Sequence, residues 1–151
     1  MKLSVVIPAR DEAGSISSTV RALHETLAEA RVPHEILVVD DGSRDVTGSV
    51  LNRLAADIAE LRSIENPGPN GFGFAVRKGL EHHTGDAVAV VMADGSDLPE
   101  DVLRFYRRLA VGDVDCVFGS RFIAGGGYRI TPDLNFCSTG SLTCLSGCCL
   151  D

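Results

Sequence analysis

Apolar and polar positions follow two periods along this chain, one typical of buried strands and the other of amphipathic helices. Short apolar runs rich in β-branched residues predict strands that are covered on both faces. Between these runs, apolar residues three or four positions apart predict helices with one buried face. The pattern predicts strands at Leu3–Pro8, Glu35–Asp40, Leu61–Glu65, Ala87–Met92 and Asp115–Gly119.

A helical pattern separates each strand from the next. The first helix is expected to run through Ile16–Ala30, with Ser15 as its N-cap. The fourth is expected to start at the N-cap Asp97, with Pro99 in its first turn, and to end near Val111. Strands that alternate with helices imply right-handed crossovers and a mostly parallel α/β sheet. The core positions expected in the second, third and fourth helices are Val46, Val50, Leu54 and Ile58; Val76 and Leu80; and Val102, Tyr106 and Leu109.

Composition is that of an ordinary globular domain. The 151 residues, 44% of them hydrophobic and 23% charged, are enough for one domain with a sizeable core. The formal net charge of −7 repels phosphate backbones, which argues against nucleic-acid binding. No apolar run reaches the roughly 20 residues of a membrane-spanning helix, and no signal-peptide pattern precedes the first strand. We therefore expect a cytoplasmic protein, either free or held at the cytoplasmic face of a membrane.

The end of the chain differs in composition from the rest. Beyond Arg129 there is no lysine or arginine, and most of the cysteines are concentrated at Cys137, Cys144, Cys148 and Cys149. With Cys116 the chain has five cysteines, and this odd total argues against a disulfide framework. The spacing of the cysteines argues against a zinc site. We expect one domain over residues 1–130 and an atypical segment over residues 131–151. Three interpretations of this segment stay open: a natural domain that continues further, a non-native sequence, or an apolar C-terminal helix.

Polar residues follow four of the predicted strands where each strand ends. In a parallel sheet these ends meet at one edge, and ligands bind there. Acids and arginines at such an edge suit hydrogen bonds to a base or ribose and a divalent cation held against phosphates. A purely structural role, as a turn or a helix cap, is the alternative for each group alone. The groups are Arg10, Asp11 and Glu12; Asp40, Asp41 and Ser43; Asp94, Ser96 and Asp97; and Ser120 with Arg121.

Four motifs in this order resemble family 2 glycosyltransferases of the GT-A fold, with dolichyl- and polyprenyl-phosphate mannosyltransferases as the most similar branch. The resemblance covers residues 3–127 and implies a Rossmann-like α/β nucleotide-sugar-binding fold with flanking helices, truncated at its C-terminus. It also implies inverting transfer of mannose or glucose from a GDP-mannose or UDP-glucose type of donor to a polyprenyl or dolichyl phosphate. The motifs are Val5–Glu12, Val38–Ser43, Asn70–Gly73 with Ala75, and Gly119–Phe122.

The resemblance also assigns candidate site residues. Asp94 and Arg121 are the implied catalytic residues, and Asp94 with Ser96 are the implied ligands of Mg²⁺ or Mn²⁺. Asp94 corresponds to the last acid of the family's D-x-D motif, but Met92 replaces the first acid, and a thioether is too soft a ligand for Mg²⁺. The residues implied to contact the nucleotide sugar are Pro8, Ala9, Arg10, Glu12, Val39, Asp41, Ala93, Asp94 and Arg121.

The residue types are consistent with this chemistry. A nucleoside diphosphate leaving group needs a metal or an arginine to stabilise its charge, and a lipid phosphate dianion attacks without a strong base. A saccharide hydroxyl as acceptor is an open alternative that would need Asp94 or Asp97 as the base. Two others are a nucleotide-binding fragment without catalysis and a sugar nucleotidyltransferase, although the glycine- and lysine-rich loop of the latter is missing. Because the family's acceptor-side motifs are absent, we expect this chain to hold a donor but transfer poorly.

Overall fold

Strands and helices alternate along the chain as the hydrophobic pattern predicts. A computed structural model of the protein describes residues 1–119. Its strands are β1 (Leu3–Ala9), β2 (His34–Asp40), β3 (Leu61–Glu65) and β4 (Ala87–Val90). Its helices are α1 (Ile16–Glu29), α2 (Thr47–Asp57), α3 (Phe72–His82) and α4 (Pro99–Ala110).

The strands form one parallel sheet in the order β3-β2-β1-β4. β1 pairs with β2 along its whole length, and β4 pairs with the first part of β1, up to the partners Val6 and Val90. The chain therefore runs outwards from β1 through β2 to β3 and then returns to the other side of β1 as β4. In open α/β sheets such a reversal of strand order opens a crevice between the two following loops, and ligands bind there.

Helices cover both faces of this sheet. The face that carries Val5 and Ile7 packs against α1, α2 and α4, whereas the face that carries Val6 and Val39 packs against α3. Successive residues of a strand point to opposite faces, so every residue of β1 is buried. This arrangement confirms the predicted α/β fold with a parallel sheet and flanking helices.

Helix α3 buries a different face from the one that its large apolar residues predict. Val76 is only half-buried and Leu80 is 45% exposed, whereas Ala75 and Gly79 lie against the sheet. A Cβ atom added to Gly79 would overlap a methyl group of Val6. The helix lies too close to the sheet for a large side chain at the contact, so small residues form its core face.

The core face of α2 agrees with the prediction at its C-terminal end, where Leu54 and Ile58 are buried, and differs in the first turn. Val46 is exposed to solvent, while Thr47, Leu51 and Leu54 are buried. Thr47 faces inward because its hydroxyl accepts a hydrogen bond from the backbone N–H of Glu12 at 2.9 Å. A polar contact to a neighbouring loop thus determines which residue of the first turn is buried.

Two expected helix caps behave differently from the prediction. Ser15 occupies the N-cap position of α1, but its hydroxyl donates to Oε2 of Glu12 at 2.5 Å and makes no capping bond to the helix. Helix α4 begins at Pro99, and Asp97 is not its cap. Oδ2 of Asp97 instead accepts from the backbone N–H of Met92 at 2.9 Å, which closes the loop after β4 on itself.

The sheet is less extensive beyond β1 than predicted. β4 ends at Val90 rather than Met92, and after its first residue it is only half-buried. Residues 115–119 form no strand, so the predicted fifth strand is absent from the described part of the chain. None of the helices within residues 1–119 combines the length and apolar character needed to cross a membrane.

Candidate functional site

Three of the four predicted polar groups lie at the carboxyl edge of the sheet. Arg10–Glu12 follow β1, Asp41–Ser43 follow β2, and Asp94–Asp97 lie in the loop after β4. The loops after β1 and β4 border the crevice where the strand order reverses. The fourth group, Ser120 and Arg121, lies outside the described residues.

Asp11 ties the loop after β1 to the loop after β2. Its backbone N–H donates to Oγ of Ser43 at 3.0 Å, and its Oδ1 accepts from the N–H of Arg44 at 2.6 Å and of Asp45 at 3.3 Å. Asp11 has a φ of +56°, in the left-handed region, which aspartate tolerates better than most residues. Its neighbour Arg10 is exposed, so the guanidinium is accessible to an anionic ligand.

The first turn of α2 fixes the rest of this loop. The N–H of Glu12 donates to Oγ1 of Thr47 at 2.9 Å, and the N–H of Ala13 donates to Oδ2 of Asp45 at 3.1 Å. Asp45 in turn accepts from the hydroxyl and the backbone N–H of Thr47, and these bonds hold the pKa of Asp45 below its ordinary value. Hydrogen bonds from two successive backbone N–H groups therefore hold the backbone at Glu12 against the start of α2.

Asp41 organises the loop between β3 and α3. It is only 4% exposed, and its two carboxylate oxygens accept from different donors, Nδ2 of Asn66 and the backbone N–H of Gly71, both at 2.6 Å. Nδ2 of Asn70 donates to the backbone carbonyl of Asp41 at 2.9 Å. Gly71 is the N-cap residue of α3, so the carboxylate lies where the helix dipole stabilises a negative charge.

Three further predicted pocket residues belong to the sheet itself. Pro8 and Ala9 end β1, Val39 is the register partner of Pro8, and all three are buried. The side chain of Val39 packs in the core beneath α3, and the carbonyl of Ala9 accepts from the N–H of Asp41 at 2.8 Å. These residues end the two central strands beneath the carboxyl edge, and their side chains belong to the core rather than to the exposed surface.

The loop after β4 is anchored to α1 at one residue and exposed at the next. Ala93 is buried, and its carbonyl accepts from Oγ1 of Thr19 at 3.0 Å. Asp94 and Ser96 are exposed, and Oδ1 of Asp94 accepts from the N–H of Ser96 at 2.9 Å across Gly95, whose φ is +74°. The turn therefore presents the Asp94 carboxylate to solvent from an anchored position.

The family comparison covers all of these loops. Residues 4–137 match the family described as Glycosyl transferase family 2. The chain belongs to glycosyl transferase family 2. The match extends over most of the sequence, from the second residue of β1 to beyond the end of α4.

Two curated relatives are close enough to align along most of this chain. It is 34% identical over 132 residues to a polyprenol monophosphomannose synthase of Mycolicibacterium smegmatis, an alignment that covers 85% of this chain and 48% of the relative. It is 32% identical over 126 residues to the glycosyltransferase AglD of Haloferax volcanii, covering 82% of this chain and 20% of the relative. The chain thus spans about half the length of the first relative and a fifth of the second.

A solved structure of a mannosyltransferase supports the same fold. The mannosyltransferase PcManGT of Pyrobaculum calidifontis, in complex with GDP-Man and Mn²⁺, is 29% identical with a TM-score of 0.55. The superposition covers 61% of this chain and 27% of that structure. The parallel sheet with helices on both faces is therefore a GT-A-like fold.

The described residues offer a divalent cation few ligands of their own. Within residues 1–119, no group of three or more histidine, cysteine, aspartate or glutamate side chains is arranged to hold a metal. Met92, in the position of the first D-x-D acid, supplies only a thioether, and Asp94 supplies an exposed carboxylate. Mg²⁺ is often held by one or two carboxylates together with substrate phosphates. The donor set therefore fits a cation that is shared with a diphosphate rather than one held by the protein alone.

Four polar residues that organise this edge were not predicted as site residues. Asn66 and Asn70 bind Asp41, and Asp45 and Thr47 fix the loop after β1. Asparagine beside proline or glycine, as in both cases here, is ordinarily a turn signal and indicates no particular partner. Their roles become visible only when β1, β2 and β3 lie side by side.

Proposed function

We propose that this chain carries the donor-binding part of a glycosyltransferase that moves mannose from a nucleoside diphosphate to a polyprenyl phosphate. The observation that carries the proposal is the reversal of strand order between β1 and β4, which places the loop with exposed Arg10 and the loop with exposed Asp94 at neighbouring strand ends. The likeness to a polyprenol monophosphomannose synthase supports the lipid phosphate acceptor. GDP-Man and Mn²⁺ in the PcManGT complex support the donor and the cation.

The nucleotide end of the donor would bind at the loops after β1 and β2. Because Asp11 and Asp45 already fix these loops, binding costs little additional ordering. Arg10 would pair with the diphosphate, and Glu12 and Asp41 would accept hydrogen bonds from the ribose or base. Each carboxylate oxygen can accept about two hydrogen bonds, so Asp41 can take a ligand donor while it keeps its bonds to the loop.

The diphosphate end would lie beside the loop after β4. Asp94, with Ser96 beside it, would hold a divalent cation against the diphosphate, and Arg121 would add positive charge. A bound cation supplies electrostatic stabilisation of the charge that develops on the leaving group. The anchoring of Ala93 to Thr19 keeps the loop in place while this charge develops.

Transfer would form one bond and break one. An oxygen of the lipid phosphate attacks the anomeric carbon on the face opposite the diphosphate, and the bond from that carbon to the diphosphate oxygen breaks with its electron pair. The configuration at the anomeric carbon inverts, and the nucleoside diphosphate leaves. A phosphate monoester is largely dianionic near pH 7, so this step needs no general base. The loops after β1, β2 and β4 contain no histidine, in agreement with such a step.

Calorimetric titration with GDP-mannose and UDP-glucose, each with and without Mn²⁺, tests this proposal. We expect GDP-mannose to bind more tightly with Mn²⁺, and Asp94→Ala to weaken binding by about 10- to 150-fold, which corresponds to the roughly 1.5–3 kcal/mol of a charge-assisted contact. Asp57→Ala is the matched control, because Asp57 is an exposed aspartate at the far end of α2.

Two results would contradict parts of the proposal. Equal affinities for wild type and Asp94→Ala in Mn²⁺ would remove Asp94 from the diphosphate site. Tighter binding of UDP-glucose than of GDP-mannose would leave the donor site in place but reject GDP-mannose as the donor.

A further inference from the structure

Large apolar side chains are exposed mainly at the carboxyl edge of the sheet, beside the candidate site. A surface that groups such side chains commonly meets a protein, a ligand or a membrane. Among residues 1–119, the exposed large apolar residues in loops or first helical turns at this edge are Val46, Phe72, Phe74, Met92 and Leu98. The others are Met1, Leu80 and Val111, and all three lie towards the opposite edge.

The first two turns of α3 expose two aromatic rings, and two basic residues lie on the same face of the helix as the second ring. Phe72 lies two positions before Phe74 and therefore on another side of the helix start. Phe72 is 50% exposed and Phe74 is 47% exposed. Arg77 and Lys78 follow Phe74 by three and four positions, so their side chains share its face of the helix. Neither Arg77 nor Lys78 forms an ion pair with any residue in the described part of the chain. The exposed acid of this face, Glu81, is a full turn further from the edge.

The packing of α3 explains why these phenylalanines stay outside the core. The helix contacts the sheet through Ala75 and Gly79, and the contact at Gly79 has no room even for a Cβ atom. Rotating α3 to bury an aromatic ring would therefore force the helix away from the sheet. The exposure of Phe72 and Phe74 is thus a consequence of the close helix–sheet contact, and the rings are available to an external apolar partner.

We propose that Phe72, Phe74, Arg77 and Lys78, here called the α3 patch, form a docking surface for a bilayer that contains a polyprenyl phosphate. The two rings would enter the apolar boundary of the bilayer, and the two cations would pair with lipid phosphate. This inference rests on the proposed function, and it assigns the acceptor side of that reaction to residues of the described fold.

Position and charge favour a lipid surface as the occupant. The patch begins one residue after Gly71, whose N–H binds Asp41, so it is continuous with the edge that would hold the donor. Aromatic and apolar residues beside lysine and arginine are typical of helices that lie in a membrane interface. The net charge of −7 opposes long-range attraction to an anionic surface, so the aromatic rings would supply most of the affinity and the cations the preference for phosphate.

Co-sedimentation of the full chain with vesicles tests the proposal. The probes are phosphatidylcholine vesicles and the same vesicles doped with a polyprenyl phosphate. We expect wild type to bind both, the doped vesicles more strongly, and Phe72→Ser/Phe74→Ser to bind about tenfold less to each because affinity scales with buried apolar area. Arg77→Gln/Lys78→Gln should lose only the preference for doped vesicles.

Val111→Ser is the matched control, because Val111 is 70% exposed at the far end of α4 and lies outside the patch. Unchanged melting temperatures for all variants would exclude misfolding as the cause of a loss. If residues 120–151 or a second copy of the chain cover the patch, the full chain will bind no vesicles, and the proposal is then wrong. Binding by Phe72→Ser/Phe74→Ser equal to that of wild type would overturn it as well.

Donor titration of the same wild-type preparation separates this inference from the proposed function. Donor binding without vesicle binding would reject the α3 patch alone. Vesicle binding without any donor binding would reject the proposed function and leave the patch as a membrane contact only.

Discussion

Asp41 is the residue on which the loop between β3 and α3 depends. Its carboxylate accepts hydrogen bonds from Asn66 and from the backbone of Gly71, and it is almost completely buried. A carboxylate only accepts hydrogen bonds, and both of its close neighbours here are donors. The local chemistry therefore requires an acid at this position even when no ligand is bound.

Asp41→Asn tests this structural role. The asparagine amide nitrogen would face one of the two donors, so one hydrogen bond is lost and a buried donor is left without an acceptor. We expect a loss of about 1–3 kcal/mol in the free energy of unfolding, measured by urea denaturation. Asp94→Asn is the control, because Asp94 is exposed and its amide oxygen can still accept from Ser96, so stability should not change.

The outcome also separates the two roles of Asp41. If Asp41→Asn is as stable as wild type but binds the donor more weakly, the main role of this carboxylate is a ligand contact and not support of the loop.

Helix α3 illustrates how a close contact between elements can outweigh local preference. Glycine within a helix is about 1 kcal/mol less favourable than alanine, yet Gly79 lies in the middle of α3. The space at this position is taken by side chains of Val6 and Val39 on the two central strands. Steric fit to the sheet, rather than helix propensity, thus accounts for this glycine.

Replacing each of two glycines of α3 by alanine separates propensity from packing. Gly79→Ala should lower the free energy of unfolding by about 1–2 kcal/mol, since an overpacking cost of up to roughly 3 kcal/mol exceeds the gain in propensity. Gly73→Ala in the same helix meets no atom within 4 Å and should raise stability by up to about 1 kcal/mol. Denaturant titrations of both variants measure the difference. A stabilising Gly79→Ala would mean that α3 lies further from the sheet than described.

The order and type of the described elements could be predicted because β1, β2 and β4 contain continuous apolar runs, whereas β3, with only two apolar residues, gives a weaker signal. Helix faces were harder to predict. In α3 the buried positions are Ala75 and Gly79, and a count of large apolar residues selects Val76 and Leu80 instead. The fifth predicted strand is wrong for another reason. Residues 115–119 include apolar side chains but pair with no strand among residues 1–119, and an apolar run does not by itself show whether a neighbouring strand is available.

The site could be predicted only in outline. That Asp94 and Arg10 are exposed at the carboxyl edge follows from their places after β4 and β1. That Asp41 is buried against Asn66 depends on the pairing of β2 with β3, which brings together residues 25 positions apart. Contacts between loops of this kind are set by topology, and a one-dimensional pattern does not contain them.

Taken as a whole, the molecule has a buried carboxylate near each end of β2. Asp41 follows the carboxyl end, and Glu35, which is 7% exposed, lies near the amino end. Oε1 of Glu35 accepts from the Ser4 hydroxyl and the Thr84 backbone N–H, both at 2.6 Å. Its Oε2 lies 3.8 Å from Nζ of Lys2 and 3.6 Å from a guanidinium nitrogen of Arg62. This carboxylate therefore joins β1, β2, β3 and the turn before β4.

Acid should destabilise the whole fold through this carboxylate. Burial raises the pKa of Glu35, but hydrogen bonds from Ser4 and Thr84 and the charge of Lys2 outweigh burial and lower the pKa below the ordinary 4.5. A lowered pKa gives stability that is present above the unfolded value and is lost as pH falls through the folded value. Between pH 7 and the pI of about 5.0 the shrinking net charge relieves self-repulsion, so stability should hold there and fall only below about pH 4.5.

Glu35→Gln isolates this contribution, because the glutamine oxygen can still accept from Ser4 and Thr84 while the charge is gone. The variant should be less stable than wild type at pH 7, and the difference should shrink steadily as the pH falls below 4.5, since wild type then loses the same charge. Urea denaturation at several pH values measures this, with Asp57→Asn as an exposed control whose difference from wild type should stay small throughout. A gap between wild type and Glu35→Gln that is the same at pH 7 and pH 3 would mean that hydrogen-bond geometry, rather than the charge of Glu35, holds the amino edge together.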